Sequence, residues 1–235
     1  MRKVLAGLFL GLISLSADTV YATFNVEAQK SANLAFISSG IVNVVNVDVG
    51  SEVKGDEVLA TLQNSDIKAM LESSKTILKY AKKDFHRQEK IRTLIDEAKF
   101  DEYAKNYENA KNQLAYQESL YDKTFLKAPF DGIIYEKDIE VGDAVSGMML
   151  KTVFKIQSKK SRKLVLEFDQ KYWKKVKTGQ TFRYSVDGDD TTYNGVLSKI
   201  YPHANARNRK IKAEVQSDTF VVGLFGSGYI IIDDK

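Results

Sequence analysis

Phe36-Ile-Ser-Ser-Gly40-Ile-Val-Asn-Val-Val-Asn-Val-Asp-Val-Gly50-Ser-Glu-Val-Lys-Gly55-Asp-Glu-Val-Leu-Ala60-Thr-Leu62 is written a second time, loosely, further along the chain. The second copy reads Leu126-Lys-Ala-Pro129-Phe-Asp-Gly132-Ile-Ile-Tyr-Glu-Lys-Asp-Ile-Glu-Val-Gly142-Asp-Ala-Val-Ser-Gly147-Met-Met-Leu150. Each copy runs Gly, an apolar strand, Val-Gly-(Ser/Asp), a spaced Val and a further Gly. Gly40 to Gly50 and Gly132 to Gly142 both span ten positions, and Gly50 to Gly55 and Gly142 to Gly147 both span five. Short β-branched runs cut by glycine predict strands joined by tight turns, with Gly40, Gly50, Gly55, Pro129, Gly132, Gly142 and Gly147 as turn residues.

From Asp56 to Ala128 the chain reads differently: it contains neither Gly nor Pro, and Gly55 just upstream and Pro129 just downstream bound the stretch. Single apolar residues recur there in steps of three and four. One series is Ile67, Leu71, Ser74, Leu78, Ala81, Phe85, Gln88 and Ile91/Arg92, then Ile95. The other is Phe100, Tyr103, Tyr107, Ala110, Leu114, Gln117, Tyr121 and Thr124. These are two heptad seams, and the register breaks at Thr93–Ala98, where a turn is expected. Two antiparallel helices of roughly 28 residues would each reach about 42 Å. The seams are narrow and hold Ser, Gln and Ala. That favours a slender exposed hairpin over helices packed on a globular core, which show a wider apolar stripe.

On either side of this split unit the pattern changes. Residues 1–22 read as a secretory leader, with Arg2 and Lys3 ahead of the apolar run Val4 to Leu15 and a small-residue cleavage site at Val20-Tyr-Ala22. Leu15-Ser-Ala17 is the alternative site. The apolar run is about a dozen residues, short of the ~20 that span a bilayer. Residues 23–35 read as an irregular or extended entry. Beyond residue 160, Leu164–Phe168, Thr181–Val186, Tyr193–Ile200, Ile211–Val215 and Tyr229–Ile232 are short strands separated by turns such as Asp187-Gly-Asp-Asp190, the pattern of a small barrel or sandwich. Asp169 to Lys177, with Trp173, reads as a short helix. There is no cysteine, so neither disulfides nor thiol chemistry are available. The net charge of +4 becomes +3 once Arg2, Lys3 and Asp18 are removed, too small a bias to point to nucleic acid.

The repeated unit resembles the two halves of a biotinyl/lipoyl-type domain, and the helices stand between the halves. With Ala128-Pro-Phe-Asp-Gly132 opening the second half and Val141-Gly-Asp143 following, the arrangement resembles the periplasmic adaptor (membrane fusion protein) family of tripartite efflux pumps, of the resistance–nodulation–division type. Lys177-Thr-Gly179-Gln180 followed by Tyr193-Asn-Gly195-Val and Ile200-Tyr-Pro202 is similar to that family's barrel, and Leu224-Phe-Gly226-Ser is a worn counterpart of its closing element. The resemblance implies an elongated multi-domain α+β fold. An antiparallel two-helix coiled-coil hairpin (64–125) would be inserted between the halves of a biotinyl/lipoyl-like β-sandwich (36–63 plus 126–157), and a small β-barrel (160–233) would follow. It implies hairpin-tip contacts with an outer-membrane channel through Arg87, Ile91 and Ala98, Arg87 matching the family's Arg, Ile91 replacing its Leu and Ala98 standing at its hydroxyl position. The implied partners are an inner-membrane exporter, an outer-membrane channel and further copies in a ring, with no nucleic acid. The location is the periplasm, and the family's membrane-proximal domain is expected to be missing or reduced.

Two alternatives follow from the same residues. One is an adaptor of an ATP-driven type I secretion or export system. The other is a lipoyl or biotinyl carrier, which the joint disfavours: carriers present a lysine on a tight turn between the halves, and here the joint is about sixty helical residues. No cofactor is expected. His86 and His203 lack a second ligand at metal-binding spacing. Asp187–Asp190 lacks the acid that completes a calcium loop, and Arg207-Asn-Arg-Lys210 reads as a solvated turn. Met148-Met149 is expected in a buried strand. With no nucleophile constellation, phosphate loop or paired acids, the chain does not read as an enzyme.

Overall fold

A computed structural model describes residues 18–232. The fold is mixed α and β, as the pattern predicts, and forms two compact units. Strand β1 (Asp18–Ala28) belongs to the first unit. The second unit, Lys30–Lys159, opens with β2 (Ser31–Leu34), β3 (Gly40–Val45), β4 (Glu52–Val53) and β5 (Val58–Leu62). It continues through helices α1 (Ser65–Glu89) and α2 (Glu97–Asp122) to β6 (Phe125–Lys127), β7 (Gly132–Lys137), β8 (Ala144–Val145) and β9 (Phe154–Gln157). The chain then rejoins the first unit with β10 (Arg162–Asp169), β11 (Thr181–Val186), β12 (Tyr193–Asn205), β13 (Lys210–Ser217) and β14 (Phe225–Ile232).

In the second unit the two copies of the repeat exchange hydrogen bonds reciprocally. Gly50 and Gly142 have φ of 89° and 96°, a left-handed conformation that glycine adopts without a Cβ penalty. These turns aim Gly50 N–H at the Ile134 carbonyl (2.8 Å) and Gly142 N–H at the Val42 carbonyl (2.9 Å). Ile134 N–H returns to Ser51 O at 3.0 Å, and Val42 N–H to Asp143 O at 2.8 Å. Gly55 N–H donates to Asp131 Oδ1 (2.7 Å), just ahead of the second copy's first glycine. Gly147 N–H donates to Ser39 Oγ (3.0 Å), just ahead of the first copy's. Each half therefore lends its short strand to the other: β4 pairs with β7, and β8 with β3. The result is two four-stranded sheets, β2-β9-β7-β4 and β6-β5-β3-β8, over a core that includes Leu59, Leu62, Ile134, Phe154 and Ile156.

The first unit is a closed barrel in the order β1-β10-β13-β12-β11-β14. Phe24, Leu164, Leu166, Phe168, Phe182, Leu197 and Ile230 fill it, and the Phe24 ring meets Phe182 edge-on at 5.9 Å. Two sequence expectations sharpen or change here. Residues 23–35, read as irregular or extended, prove extended and mostly strand, because Val20, Ala22, Phe24, Val26 and Ala28 alternate inward. Residues 18–22, expected to leave with a leader, hold Asp18 to Ala22 in register with Ile232 to Gly228 of β14. The rest of the expected leader lies outside the described residues.

Charge on the barrel wall is also organised. Glu214 on β13 is buried and accepts from Lys163 Nζ (3.2 Å) and Tyr201 Oη (2.6 Å). Burial pushes its carboxyl up, but the Tyr201 and Lys163 hydrogen bonds outweigh that and hold it below the usual range. The same bond to Glu214, helped by burial, pushes Tyr201 up to about 12.

Candidate functional site: the helix pair

Helices α1 and α2 leave the sheets together. At their base Asn64 Nδ2 donates to Thr124 Oγ1 (2.9 Å), Thr124 Oγ1 to the Tyr121 carbonyl (2.7 Å) and Leu62 N–H to the Thr124 carbonyl (2.9 Å). The helices have 25 and 26 residues, so each reaches about 38 Å at ~1.5 Å per residue. Seam positions are the sheltered ones: Leu71, Ser74, Phe100, Ala110 and Gln117 are buried. Phe85 packs on Phe100 at 5.5 Å and stacks on Tyr107 at 5.3 Å. Gln117 Oε1 is buried without a hydrogen-bond partner. The turn between the helices is a 3₁₀ segment, Arg92–Leu94, after which Asp96 caps α2 by accepting from Lys99 N–H at 3.3 Å.

The predicted contact residues fall around this tip. Arg87 lies in the last turn of α1, mostly exposed and paired with Asp84; an exposed pair of this kind contributes ~0–1 kcal/mol. Ile91 is exposed at the start of the 3₁₀ turn, and Ala98 is exposed in the first turn of α2. Nearby, Arg92 lies over the Phe100 ring at 4.5 Å, and Leu94 is 85% exposed. These residues share an end of the helix pair, but Ala98 carries no polar group to offer.

Sequence reasoning missed a second stripe. Met70, Ile77 and Tyr80 are exposed on α1 at spacings of seven and three, and the predicted contacts Arg87, seven residues on, and Ile91, just past the helix, continue the series. Ile77 and Tyr80 line a shallow groove with Ala81, Tyr103 and Asn106. The signal was available: Met70, Ile77 and Tyr80 are the large apolar residues of α1 left over once the seam is assigned. The stripe is flanked by cations, with Lys83 and Lys79 over the Tyr80 ring at 5.5 and 6.0 Å.

Other candidates resolve into structure. No group of three metal-ligating acids or histidines occurs among the described residues. Asp187–Asp190 is a turn whose Asp189 is occupied by Thr191 N–H and Tyr193 Oη. Met148 and Met149 are not buried in a strand. They follow the Ser146-Gly147 turn between β8 and β9, 95% and 79% exposed, with their N–H groups on Ser146 Oγ. The residues joining the two halves are helical, so no lysine is presented on a β-turn there. No helix among the described residues is long and apolar enough to cross a membrane.

The deciding match is to a family model described as the CzcB-like barrel-sandwich hybrid domain, over residues 30–157, more than half of the chain. The chain belongs to that family. The cobalt-zinc-cadmium resistance protein CzcB of Cupriavidus metallidurans is 24% identical over 208 residues, covering 79% of this chain. This family member spans only 39% of the length of that relative. Among solved structures, a MacA-MexA chimera containing the Pseudomonas aeruginosa MexA α-hairpin domain has a TM-score of 0.86 at 18% identity, covering 93% of this chain and 83% of the other. The membrane fusion protein Spr0693 of Streptococcus pneumoniae has a TM-score of 0.74 at 16% identity, covering 92% and 100%. At those identities the structural likeness speaks to the fold.

Proposed function

We propose that the chain is the periplasmic adaptor subunit of a tripartite efflux pump, linking an inner-membrane exporter to an outer-membrane channel for the export of drugs or other toxic compounds. The observation that carries this reading is the helix pair. It occupies the joint where a carrier would hold its lysine, and it offers an unpartnered stripe at coiled-coil spacing. Its seam has already used one face of each helix, so Met70, Ile77, Tyr80, Arg87 and Ile91 are left to pack on helices of another molecule, with Ala98 beside them at the tip. On this reading residues 36–63 and 126–157 are the lipoyl-like domain, 64–125 the coiled-coil hairpin and 160–233 the barrel, and several copies form a ring. The name of the Cupriavidus relative favours cobalt, zinc and cadmium ions as cargo.

Two measurements test it. Deleting the gene should lower tolerance to cobalt, zinc or cadmium salts, or to detergents and dyes; unchanged tolerance to all of them sinks the assignment. The chain has no cysteine, so Ile77→Cys and Ile91→Cys give single sites for cross-linking in cells. Capture of an outer-membrane channel protein supports the tip contact, and a cysteine placed at exposed Tyr135 serves as the negative control. If the protein is exported by leader cleavage, β1 requires the cut after Ala17 rather than Ala22. N-terminal sequencing of the periplasmic protein should begin at Asp18.

A further inference from the structure

One end of the barrel gathers cations from separate loops. The strand registers bring together there the start of β1, the ends of β10, β12 and β14 and the starts of β11 and β13. The β10–β11 connection, residues 170–180, crosses this end and lowers Val176 into the core. The β12–β13 turn, residues 206–209, lies against it, with Gln170 N–H donating to the Arg209 carbonyl at 2.9 Å. Together these two segments contain Lys171, Lys174, Lys175, Lys177, Arg207 and Arg209 and no acidic residue. Lys175 is held by Asp18 at 2.5 Å. Among the described residues the other five are in no ion pair. Two further acids stand at this end among the described residues, Asp169 and Glu167, the latter reached by Asn208 of the β12–β13 turn and by Lys210 of β13, and Asp233 and Asp234 follow Ile232 in sequence.

In the middle of these cations stands Trp173, 63% exposed, with Lys174 Nζ 5.3 Å from its ring centre. Beside it runs a groove of about 600 Å³ lined by Ile200, Pro202, Ala204 and Ile211, with the polar Lys171 and His203 also on its wall. A tryptophan indole normally buries its ring; left in water it forgoes that gain, unless a partner receives it. An apolar patch rimmed by cations fits a surface that offers anionic groups outside and hydrocarbon beneath. Tryptophan and lysine are the residues enriched at that boundary, the ring at headgroup depth and the ammonium group among phosphates.

We propose that this end of the barrel docks on an anionic phospholipid bilayer, Trp173 entering the headgroup layer and Lys171, Lys174, Lys177, Arg207 and Arg209 lying over lipid phosphates. The docking is reversible and salt-dependent, since exposed charges are screened within about a Debye length, ~8 Å at physiological ionic strength. It does not depend on the helix pair finding a channel.

Trp173 is the chain's single tryptophan, so intrinsic fluorescence reports on this site alone. The exported protein is mixed with vesicles of phosphatidylglycerol and phosphatidylcholine, and separately with pure phosphatidylcholine vesicles. A blue shift with the anionic vesicles, quenching by lipids brominated in the acyl chain and reversal by high salt are expected. The quadruple variant K171E/K174E/R207E/R209E should bind the anionic vesicles about tenfold more weakly or worse. The double variant K174E/R207E, checked for native circular dichroism, should show a smaller loss in the same direction, and Trp173→Ala a weaker co-sedimentation. Unchanged emission with anionic vesicles overturns the proposal and leaves the surface to an acidic protein. Equal binding to both vesicle types, or by parent and charge-reversed proteins, overturns it too, since attachment would then come from elsewhere in the chain.

Discussion

The sheets of residues 30–159 and the helix pair they carry are built from one continuous stretch of chain, yet they are held in opposite ways. The sheets enclose fully buried Leu59, Leu62, Ile134, Phe154 and Ile156 and tie distant segments through hydrogen bonds such as Gly50 to Ile134. The helices share a single seam that includes Ser74 and Gln117, and their ion pairs, Lys75–Glu72, Arg87–Asp84 and Lys111–Glu108, are local and exposed. A thin seam leaves most of each helix in solvent. That costs stability and leaves surface free for partners. The barrel stands with the sheets in this contrast, because its buried Glu214 is satisfied by residues far apart in sequence.

The most severe break should come from the sheets. Phe154→Ala empties a fully buried site where β9 meets both β2 and β7, and should cost about 3–5 kcal/mol. Chemical denaturation measures it, and a loss under 1 kcal/mol would mean that the two sheets do not share a core. Next comes the barrel's charge cluster. Glu214→Gln should cost about 1–3 kcal/mol near neutral pH, because Lys163 loses its closest carboxylate. The native carboxyl of Glu214 is held low, so its contribution is complete above the ordinary carboxylate range, near pH 4.3, and disappears as pH falls through the lower folded value. Tyr201 runs the other way: its contribution is intact below about pH 10 and disappears as pH rises toward about 12. Denaturation midpoints of Glu214→Gln and Tyr201→Phe against pH should therefore converge on the parent at the acid and alkaline ends respectively. Parallel curves across the whole range would remove this account.

In the helix pair the sign reverses. Gln117→Leu removes a buried, unpartnered carbonyl oxygen and should stabilise the protein by ~1 kcal/mol, read as a higher melting temperature. A lower one would show that the amide has a partner in the assembled protein's solvent or subunit surroundings. The smallest expected effect is on the exposed stripe. Ile77→Ala with Tyr80→Ala should change stability by less than about 0.5 kcal/mol, while weakening capture of the channel by Ile91→Cys. A large stability loss would place those side chains in the fold rather than at an interface.

The split between what could be read and what could not follows the range of the interactions. Gly50 and Gly142 sit in left-handed turns because Val-Gly-(Ser/Asp) demands it locally, so their role is visible in the repeat. The helices lie inside the Gly- and Pro-free stretch, and the sheltered residues are those spaced three and four apart, a periodicity that one helix expresses by itself. The exposed stripe of Met70, Ile77 and Tyr80 was equally periodic and was passed over because the first seam used the same signal. Local pattern said nothing of β1. Asp18–Ala28 alternates as any strand does, but its partners are β10 and β14, more than a hundred residues away, and only their pairing turns an apparent leader end and entry segment into barrel wall. Met148-Met149 had the composition of a buried strand; the turn at Ser146-Gly147 put both side chains in solvent.

From sequence alone come the repeated β unit, the helical interruption between its copies and the loss of the carrier's lysine turn, since each rests on residues close together in the chain. Only the tertiary structure decided that the two copies trade β4 and β8, that β1 closes the barrel, and that six cations and Trp173 from separate loops share one end of it. Those outcomes depend on hydrogen bonds and burial between segments far apart in sequence, and a period of two or of three-and-a-half carries no record of which distant strand or loop will be the neighbour.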